Sequence, residues 1–431
     1  MKSVAFYTLG CKVNQYETEA VTELFSDDGF DIVPFSEKSD IYIINTCSVT
    51  SMSDKKSRQI IRRARKTNPN SIIAVMGCYS QSAPEAVLDI EGVNLVLGTK
   101  DKGSILNLIK HIDHTSKLNA VSNVMDNHEY EDLTIRCTHG RTRAYIKIQD
   151  GCSQFCSYCI IPYTRGPIRS RCEKDIIDEI ETLADAGYKE IVLTGIHVAS
   201  YGKDLANTSL DKLLCKADKI DGIKRIRLSS IEPMTLNRDF VNAIKDCKKL
   251  CPHFHISLQS GCDTTLKRMN RHYTTAQFEE VVAGLREAFC DCAITTDIMT
   301  GFAGETEEEF SQTLEFVNRI NFAEAHVFQY SPRRGTPAAR RPEQVAPEVK
   351  EARSKLIIEA TNKSRDNFLK SQIGKTAEVL FETHNDDGLY EGKTANYITV
   401  LAKCDTDICG TFRTVKLENI KNGILLGKTV D

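Results

Sequence analysis

Short apolar runs alternate with helical stretches through most of this chain, in two series separated by a polar segment. That alternation demands parallel sheets covered by helices on both faces. In the first series Ser3 to Leu9, Asp40 to Asn45 and Ile72 to Met76 read as strands, and Glu91 to Leu97 leads into a last short one. Asn14 to Asp27 and the basic stretch Ser53 to Asn68 read as helices. We therefore expect an α/β chain whose residues 1–113 form a Rossmann-like parallel-sheet domain. Residues 114–138 are polar, lack periodicity and read as a linker.

The second series begins near Gly140. Strands are expected at Ala144 to Gln149, Glu190 to Thr194, Arg225 to Leu228, His253 to Leu258, Ala293 to Ile298 and Glu324 to Gln329. Helices are expected at Glu173 to Ala186, Leu210 to Lys219, Leu236 to Lys245, Thr275 to Ala288 and Glu305 to Ile320, the last opening on a Thr306/Glu309 capping box. Such units imply a partial (β/α)6 barrel of the TIM type within residues 139–371, with its chemistry at the carboxyl ends of the strands. A loop rich in Pro and Arg, Pro332 to Pro347, and a charged helix through about Ser371 complete it. Residues 372–431 change to strand-type alternation at Ala377 to Phe381, Thr394 to Leu401 and Thr411 to Val415, which predicts a small antiparallel β-barrel.

Composition matters chiefly through cysteine. At 431 residues, 41% hydrophobic and 27% charged, the chain is ordinary globular material for about three domains, yet it carries 16 cysteines. It opens with no apolar run long enough for an export signal and has none approaching the ~18 residues of a membrane span. A reducing cytoplasm and no membrane partner are the expectation, and there cysteine spacing is read as metal binding or catalysis before disulfides.

Two sets stand out. Gly151-Cys152-Ser-Gln-Phe-Cys156-Ser-Tyr-Cys159 follows the first barrel strand and puts three thiolates on one tight loop, enough for three irons of a [4Fe–4S] cube with the fourth left open. A structural zinc would want a fourth ligand, which Cys172 could supply. Cys11, Cys47 and Cys78 are far apart in sequence, but each follows the carboxyl end of an expected strand, and in an open parallel sheet those ends share one rim. They form either a second three-thiolate set or buried structural cysteines. The other ten, Cys172 among them, have no shared loop geometry and read as packing or incidental exposure.

The Cys-x3-Cys-x2-Cys loop at a barrel mouth, with an aromatic before its last cysteine, resembles the radical S-adenosylmethionine superfamily. With the N-terminal trio and the terminal β-barrel, the whole chain resembles the methylthiotransferase family. The segments that carry this are Thr8 to Glu19 (TLGCKVNQYETE), Asn45 to Thr50, Gly77 to Gln81, Cys152 through Gly166, Ser257 to Gly261 and Thr296 to Thr306. The Cys-Lys-Val-Asn-Gln-Tyr-Glu form at Cys11 is similar to the branch acting on N6-threonylcarbamoyladenosine beside the tRNA anticodon. The resemblance implies a TRAM-like terminal barrel, two [4Fe–4S] clusters held by Cys11, Cys47, Cys78 and by Cys152, Cys156, Cys159, and S-adenosylmethionine as cofactor. It also implies an electron donor, a sulfur source, and a sulfur methylated at the first cluster before transfer to adenine C2. An aromatic C2–H is unactivated at neutral pH, so radical chemistry suits it. Residues read as facing the cofactor at the barrel mouth are Tyr158, Gly195, Glu232, Ser257, Gln259 and Asp297. His197, His255 and His326 lie at or near strand ends and read as structural. No catalytic residue beyond the cluster ligands is indicated.

A net charge of −3, from 56 basic and 59 acidic residues, requires any RNA partner to use local patches. Lys55, Lys56, Arg58, Arg62, Arg63, Arg65 and Lys66 lie on one expected helix, Arg333 and Arg334, with Arg340 and Arg341, form a second patch, and Arg165, Arg169 and Arg171 form a third. The terminal barrel, with seven basic against nine acidic residues from Gln372 onward, offers no such patch. Alternatives to a threonylcarbamoyladenosine enzyme are a methylthiotransferase for isopentenyladenosine tRNA or a ribosomal protein, and a non-catalytic iron–sulfur RNA-binding regulator.

Overall fold

A computed structural model describes residues 2–137 and 142–430. The expected start of the second series near Gly140, and the boundary at 138/139, lie outside the described residues.

The N-terminal sheet contains β1 (Ser3–Thr8), β2 (Asp31–Ile32), β3 (Ile41–Thr46), β4 (Ile72–Gly77), β5 (Val93–Val96) and β6 (Leu118–Asn119), in the order β2-β1-β3-β4-β5-β6 and parallel throughout. Two apolar clusters, one on each face, bury it under helices that include α1 (Lys12–Asp27) and α2 (Ser51–Thr67). The apolar side of α2 is Ile60, Ile61 and Ala64, spaced as one helical face. Residues 114–137 are largely irregular but packed: β6 joins the sheet, and Leu133 and Ile135 enter the core of the next domain.

The second unit has six parallel strands, β7 (Arg143–Asp150), β9 (Glu190–Gly195), β10 (Arg225–Leu228), β11 (His253–His255), β12 (Ala293–Thr300) and β13 (Glu324–Gln329), with β8 (Arg169–Ser170) antiparallel on the edge. Hydrogen-bonded ladders join β7, β9 and β10, and β11, β12 and β13; isolated bridges such as Ile231 to Ile256 connect the two groups into an incomplete barrel. Side chains alternate. Ala144, Ile146, Ile148, Ile191, Leu193, Ile226 and Phe254 pack outward under the helices, which leaves Tyr145, Lys147, Arg227, His255 and Asp297 on the lumen side. This interior is polar. The expected Thr306/Glu309 capping box is present at α3 (Glu307–Ile320), and the charged helix runs as α4 (Pro347–Lys370).

The terminal barrel closes in the order β14-β15-β16-β18-β17, from β14 (Thr376–His384), β15 (Tyr390–Thr394), β16 (Thr399–Lys403), β17 (Phe412–Lys421) and β18 (Ile424–Thr429). Two expectations are corrected here. The barrel is not wholly antiparallel, because β16 and β18 pair in parallel. Thr394 to Leu401 is not one strand, because Tyr397 takes a left-handed φ of 69° and turns the chain between β15 and β16. That turn plugs the amino end of the partial barrel: Arg227 donates to the Ala395 carbonyl at 2.9 Å, Arg225 to that of Lys393 at 3.0 Å, and the Tyr397 ring stacks on His253 at 4.7 Å. No helix among the described residues is long and apolar enough to cross a membrane.

Candidate functional site

Cys152, Cys156 and Cys159 lie on the loop that leaves the carboxyl end of β7. Gly151 starts it at φ 74°, where an added Cβ would fall onto the Pro167 carbonyl, so only glycine turns the chain here. Several backbone contacts hold the loop: Ser157 N–H donates to the Met269 carbonyl at 2.9 Å, Ala338 N–H to that of Ser157 at 2.8 Å, and the Asn270 amide to that of Phe155 at 3.0 Å. Arg271 donates to Cys156 Sγ at 3.4 Å and reaches Glu232 at 3.4 Å, while Tyr273 lies under its guanidinium.

The N-terminal trio gathers as the strand-end rule requires. Cys47 lies against Gly10, where a Cβ would press on that of Cys47 at 2.9 Å, and Cys78 begins the short helix after β4. The three thiols share one electrostatic neighbourhood, with Cys78 acting on both Cys11 and Cys47. Cys11 keeps accessible surface but sits in the cleft between the two domains, and burial, partly opposed by Arg165, pushes its thiol up to about 11. Burial likewise raises Cys152 to about 11 and Cys159 to about 12, with Cys156 adding to both. A bound metal would deprotonate such thiols and reverse these shifts.

The donor chemistry fits iron–sulfur cubes. All sixteen cysteines are free, and each set offers only thiols. Among the described residues no three His, Cys, Asp or Glu side chains are drawn together tightly enough for a single ion. A cube spreads its thiolates over different irons. Cys172 is the N-cap residue of the helix Glu173–Asp185, near Tyr201, and joins neither set, which leaves the zinc alternative without its fourth ligand.

Arg165, Arg169 and Arg171 correct the third basic patch: all are buried in the barrel wall. Arg165 binds Glu17 of α1 at 2.5 Å, Asn14 at 2.7 Å and Cys78 Sγ at 3.4 Å. Lys147 and Lys102 meet the same Glu17 at 2.9 and 3.2 Å, Arg169 faces Asp150 at 3.6 Å, and Arg171 pairs with Glu179. This network fastens α1 onto the barrel beside both cysteine sets. A local run of arginines gave no sign of it, because Glu17 comes from a segment 148 residues away.

The residues expected at the barrel mouth divide. Tyr158 packs edge-on against Phe302 at 6.2 Å. Space over Gly195 is filled by Gln149, whose Oε1 accepts from His197 N–H at 2.7 Å, so close approach there serves the barrel itself. Glu232 meets His197 at 3.2 Å as well as Arg271; burial alone would raise its carboxyl, but these partners hold it below the usual range. Ser257 offers its carbonyl to Tyr273 at 2.8 Å. Gln259 has a left-handed φ of 65° and a buried Oε1 without a partner among the described residues. Asp297 pairs with His255 at 3.1 Å, and His255 packs near His326.

On the candidate RNA face, Lys55, Lys56, Arg62, Arg63 and Lys66 are exposed. Arg58 and Arg65 are half-buried, Arg58 donating to the Tyr79 hydroxyl at 3.1 Å and Arg65 crossing Gly92. Arg333 is corrected from RNA ligand to strap: it binds Asp54 at 2.7 Å and Ser48, next to Cys47, at 2.8 Å. Arg334 remains exposed. Two aromatics escaped the sequence reading. Phe155, held outward at φ 47°, and Tyr163 are both exposed, with rings 5.6 Å apart beside the cluster loop. Their signal was an aromatic inside the cysteine motif.

Comparison with known proteins adds a lineage. The family described as Radical SAM superfamily matches residues 146–317, and Uncharacterized protein family UPF0004 matches residues 3–98. The chain is 42% identical to Threonylcarbamoyladenosine tRNA methylthiotransferase MtaB of Bacillus subtilis, over 98% of this chain and 95% of that one. It is 35% identical to tRNA-2-methylthio-N(6)-dimethylallyladenosine synthase of Acetivibrio thermocellus, over 98% and 90%. Among solved structures, the radical S-adenosylmethionine methyltransferase TsrM of Kitasatospora setae shares the fold, with a TM-score of 0.57 at 16% identity over 79% of this chain and 77% of that one.

Proposed function

We propose, for a chain that belongs to the methylthiotransferase family of radical S-adenosylmethionine enzymes, that it adds a methylthio group to C2 of N6-threonylcarbamoyladenosine next to the tRNA anticodon. The observation that carries this reading is the similarity of the chain, over nearly its full length, to a protein named for that reaction, supported by two separate three-cysteine sets, one of them contacted through Cys78 by Arg165 from the segment that follows the other.

Cys152, Cys156 and Cys159 would hold one [4Fe–4S] cluster, and Cys11, Cys47 and Cys78 a second. Bound there with S-adenosylmethionine, the clusters supply the one-electron and sulfur chemistry that an unactivated aromatic C2–H requires. The rest is the work of this chain's own side chains. Arg271, aligned by Glu232 and Tyr273, fixes Cys156 and places a positive charge beside the thiolates. Tyr158, on the cluster loop, and Gln259, beyond the end of β11, would bound the space for the cofactor. Phe155 and Tyr163 offer stacking surface for nucleobases, and the exposed cations of α2 offer phosphate contacts. A polar lumen suits a threonylcarbamoyl group better than a dimethylallyl one. The TRAM-like terminal barrel would add RNA contacts, and the reaction would run in the cytoplasm with an external electron donor and sulfur source.

Incubation of the reconstituted, reduced protein with S-adenosylmethionine tests the enzyme class. The expected product is 5′-deoxyadenosine; none above background with both clusters intact would leave the regulator reading in its place.

A further inference from the structure

Lys12 follows Cys11 directly and is the first residue of α1. Its side chain lies over the Tyr145 ring, with Nζ 5.9 Å from the centroid, on the lumen side of β7. It is half-buried, and among the described residues no carboxylate lies within ion-pair range of its ammonium, although Tyr397 and, more weakly, Glu190 act on it electrostatically. The neighbouring cations are compensated, Arg227 by Glu190 at 3.0 Å and Arg143 by Glu382 at 2.7 Å. Among the described residues Lys12, with Lys393, thus stands in the lumen without a carboxylate at ion-pair distance.

Two other groups lie in the same cationic surroundings. Tyr397, at the lumen floor, would be raised by burial, but Arg143, Lys12 and Lys393 bring it below its ordinary value. His253, stacked on it, is depressed by burial first and then by Arg227, His255, Lys12 and Lys393. The lumen beside Cys11 is thus set to receive an anion.

We propose that Lys12 is the counter-ion for the carboxylate of the threonylcarbamoyl group, and so a specificity-determining residue that separates this substrate from an adenosine bearing an uncharged N6 substituent. The inference rests on the substrate reading above. Sulfur held at the Cys11 set must meet adenine C2, and C2 and the N6-bearing carbon flank the same ring nitrogen. A cation adjoining Cys11 is then near the N6 substituent, whose only formal charge is that carboxylate. A phosphate of the RNA backbone is the competing anion, and the comparison of modified with plain RNA below separates the two.

Equilibrium binding of an anticodon stem-loop RNA carrying threonylcarbamoyladenosine, and of the same RNA with plain adenosine, tests the proposal in the reconstituted protein with iron content measured alongside. Wild type should prefer the modified RNA. Lys12→Met should weaken the modified RNA about 10- to 100-fold, the loss typical of one charge-assisted contact, and leave the plain RNA unchanged. Lys12→Arg, which keeps the charge, should recover part of the preference. Equal weakening of both RNAs would assign Lys12 to phosphate and overturn the proposal, as would undiminished preference in Lys12→Met. A wild-type protein that binds both RNAs alike would overturn the substrate reading itself, a different failure.

Discussion

Arg165 Nε donates to the sulfur of Cys78 at 3.4 Å, across the boundary between the N-terminal sheet and the barrel. The same guanidinium holds Glu17 and Asn14, and Arg165 follows Cys159 by six residues. One residue thus touches one cysteine set and ends the short helix, Ile161–Arg165, that follows the loop of the other. Arg165→Met should leave Glu17 with only Lys102 and Lys147 and remove the bonds to Asn14 and Cys78, at a cost on the order of 1–3 kcal/mol. Urea unfolding of the iron-free protein should show an earlier midpoint; an unchanged one would mean that the network does not fasten the domains.

Glu17 gives the same network a pH signature. Burial would raise its carboxyl, but Arg165, Lys102 and Lys147 hold it down to about 2, below the ordinary 4.5. The folded value lies below the unfolded one, so this stabilisation is present above about pH 4.5 and is lost as pH falls toward 2. Thermal midpoints of the iron-free protein should drop through that window in wild type and drop less steeply in Glu17→Gln. Identical profiles would contradict the assignment.

Much of this was legible in the sequence, and the remainder has a common cause. Strand-end placement found Cys11, Cys47 and Cys78 because an open parallel sheet puts its carboxyl ends on one rim, and spacing alone found Cys152, Cys156 and Cys159. Arg165, Arg169 and Arg171 were misjudged because a local run reads as a surface patch until Glu17 and Glu179 arrive from other elements. Arg333 misled in the same way, its partner Asp54 lying 279 residues earlier. At Thr394 to Leu401 the alternation is strand-like, but Tyr397 turns left-handed to reach a floor built by His253 and Arg227. In most of these cases the deciding interaction is between distant segments; Arg171 and Glu179 are only eight residues apart but on different elements.

The RNA face can be separated from the strap by salt. Neutralising Lys55, Lys56, Arg62, Arg63 and Lys66 together should weaken tRNA binding and flatten its dependence on salt, by roughly 0.7–0.9 in log–log slope for each phosphate left without its cation. Arg333→Ala should leave that slope alone and loosen the Cys47 loop, seen as earlier unfolding. An unchanged slope in the helix variant would move the RNA elsewhere.

Cys47→Ala should lower the iron bound per chain, stop methylthiolation and leave some S-adenosylmethionine cleavage at the Cys152 set. Iron analysis with 5′-deoxyadenosine quantification on one preparation checks both halves. Full iron content would remove Cys47 from the ligands.

For the substrate itself, nucleoside analysis of tRNA from a strain lacking this gene is decisive. There 2-methylthio-N6-threonylcarbamoyladenosine should disappear, unmethylthiolated N6-threonylcarbamoyladenosine should accumulate, and the isopentenyl counterpart should be untouched. Persistence of the first in a host with no second such enzyme, or loss of the isopentenyl form instead, would contradict the assignment of threonylcarbamoyladenosine as substrate.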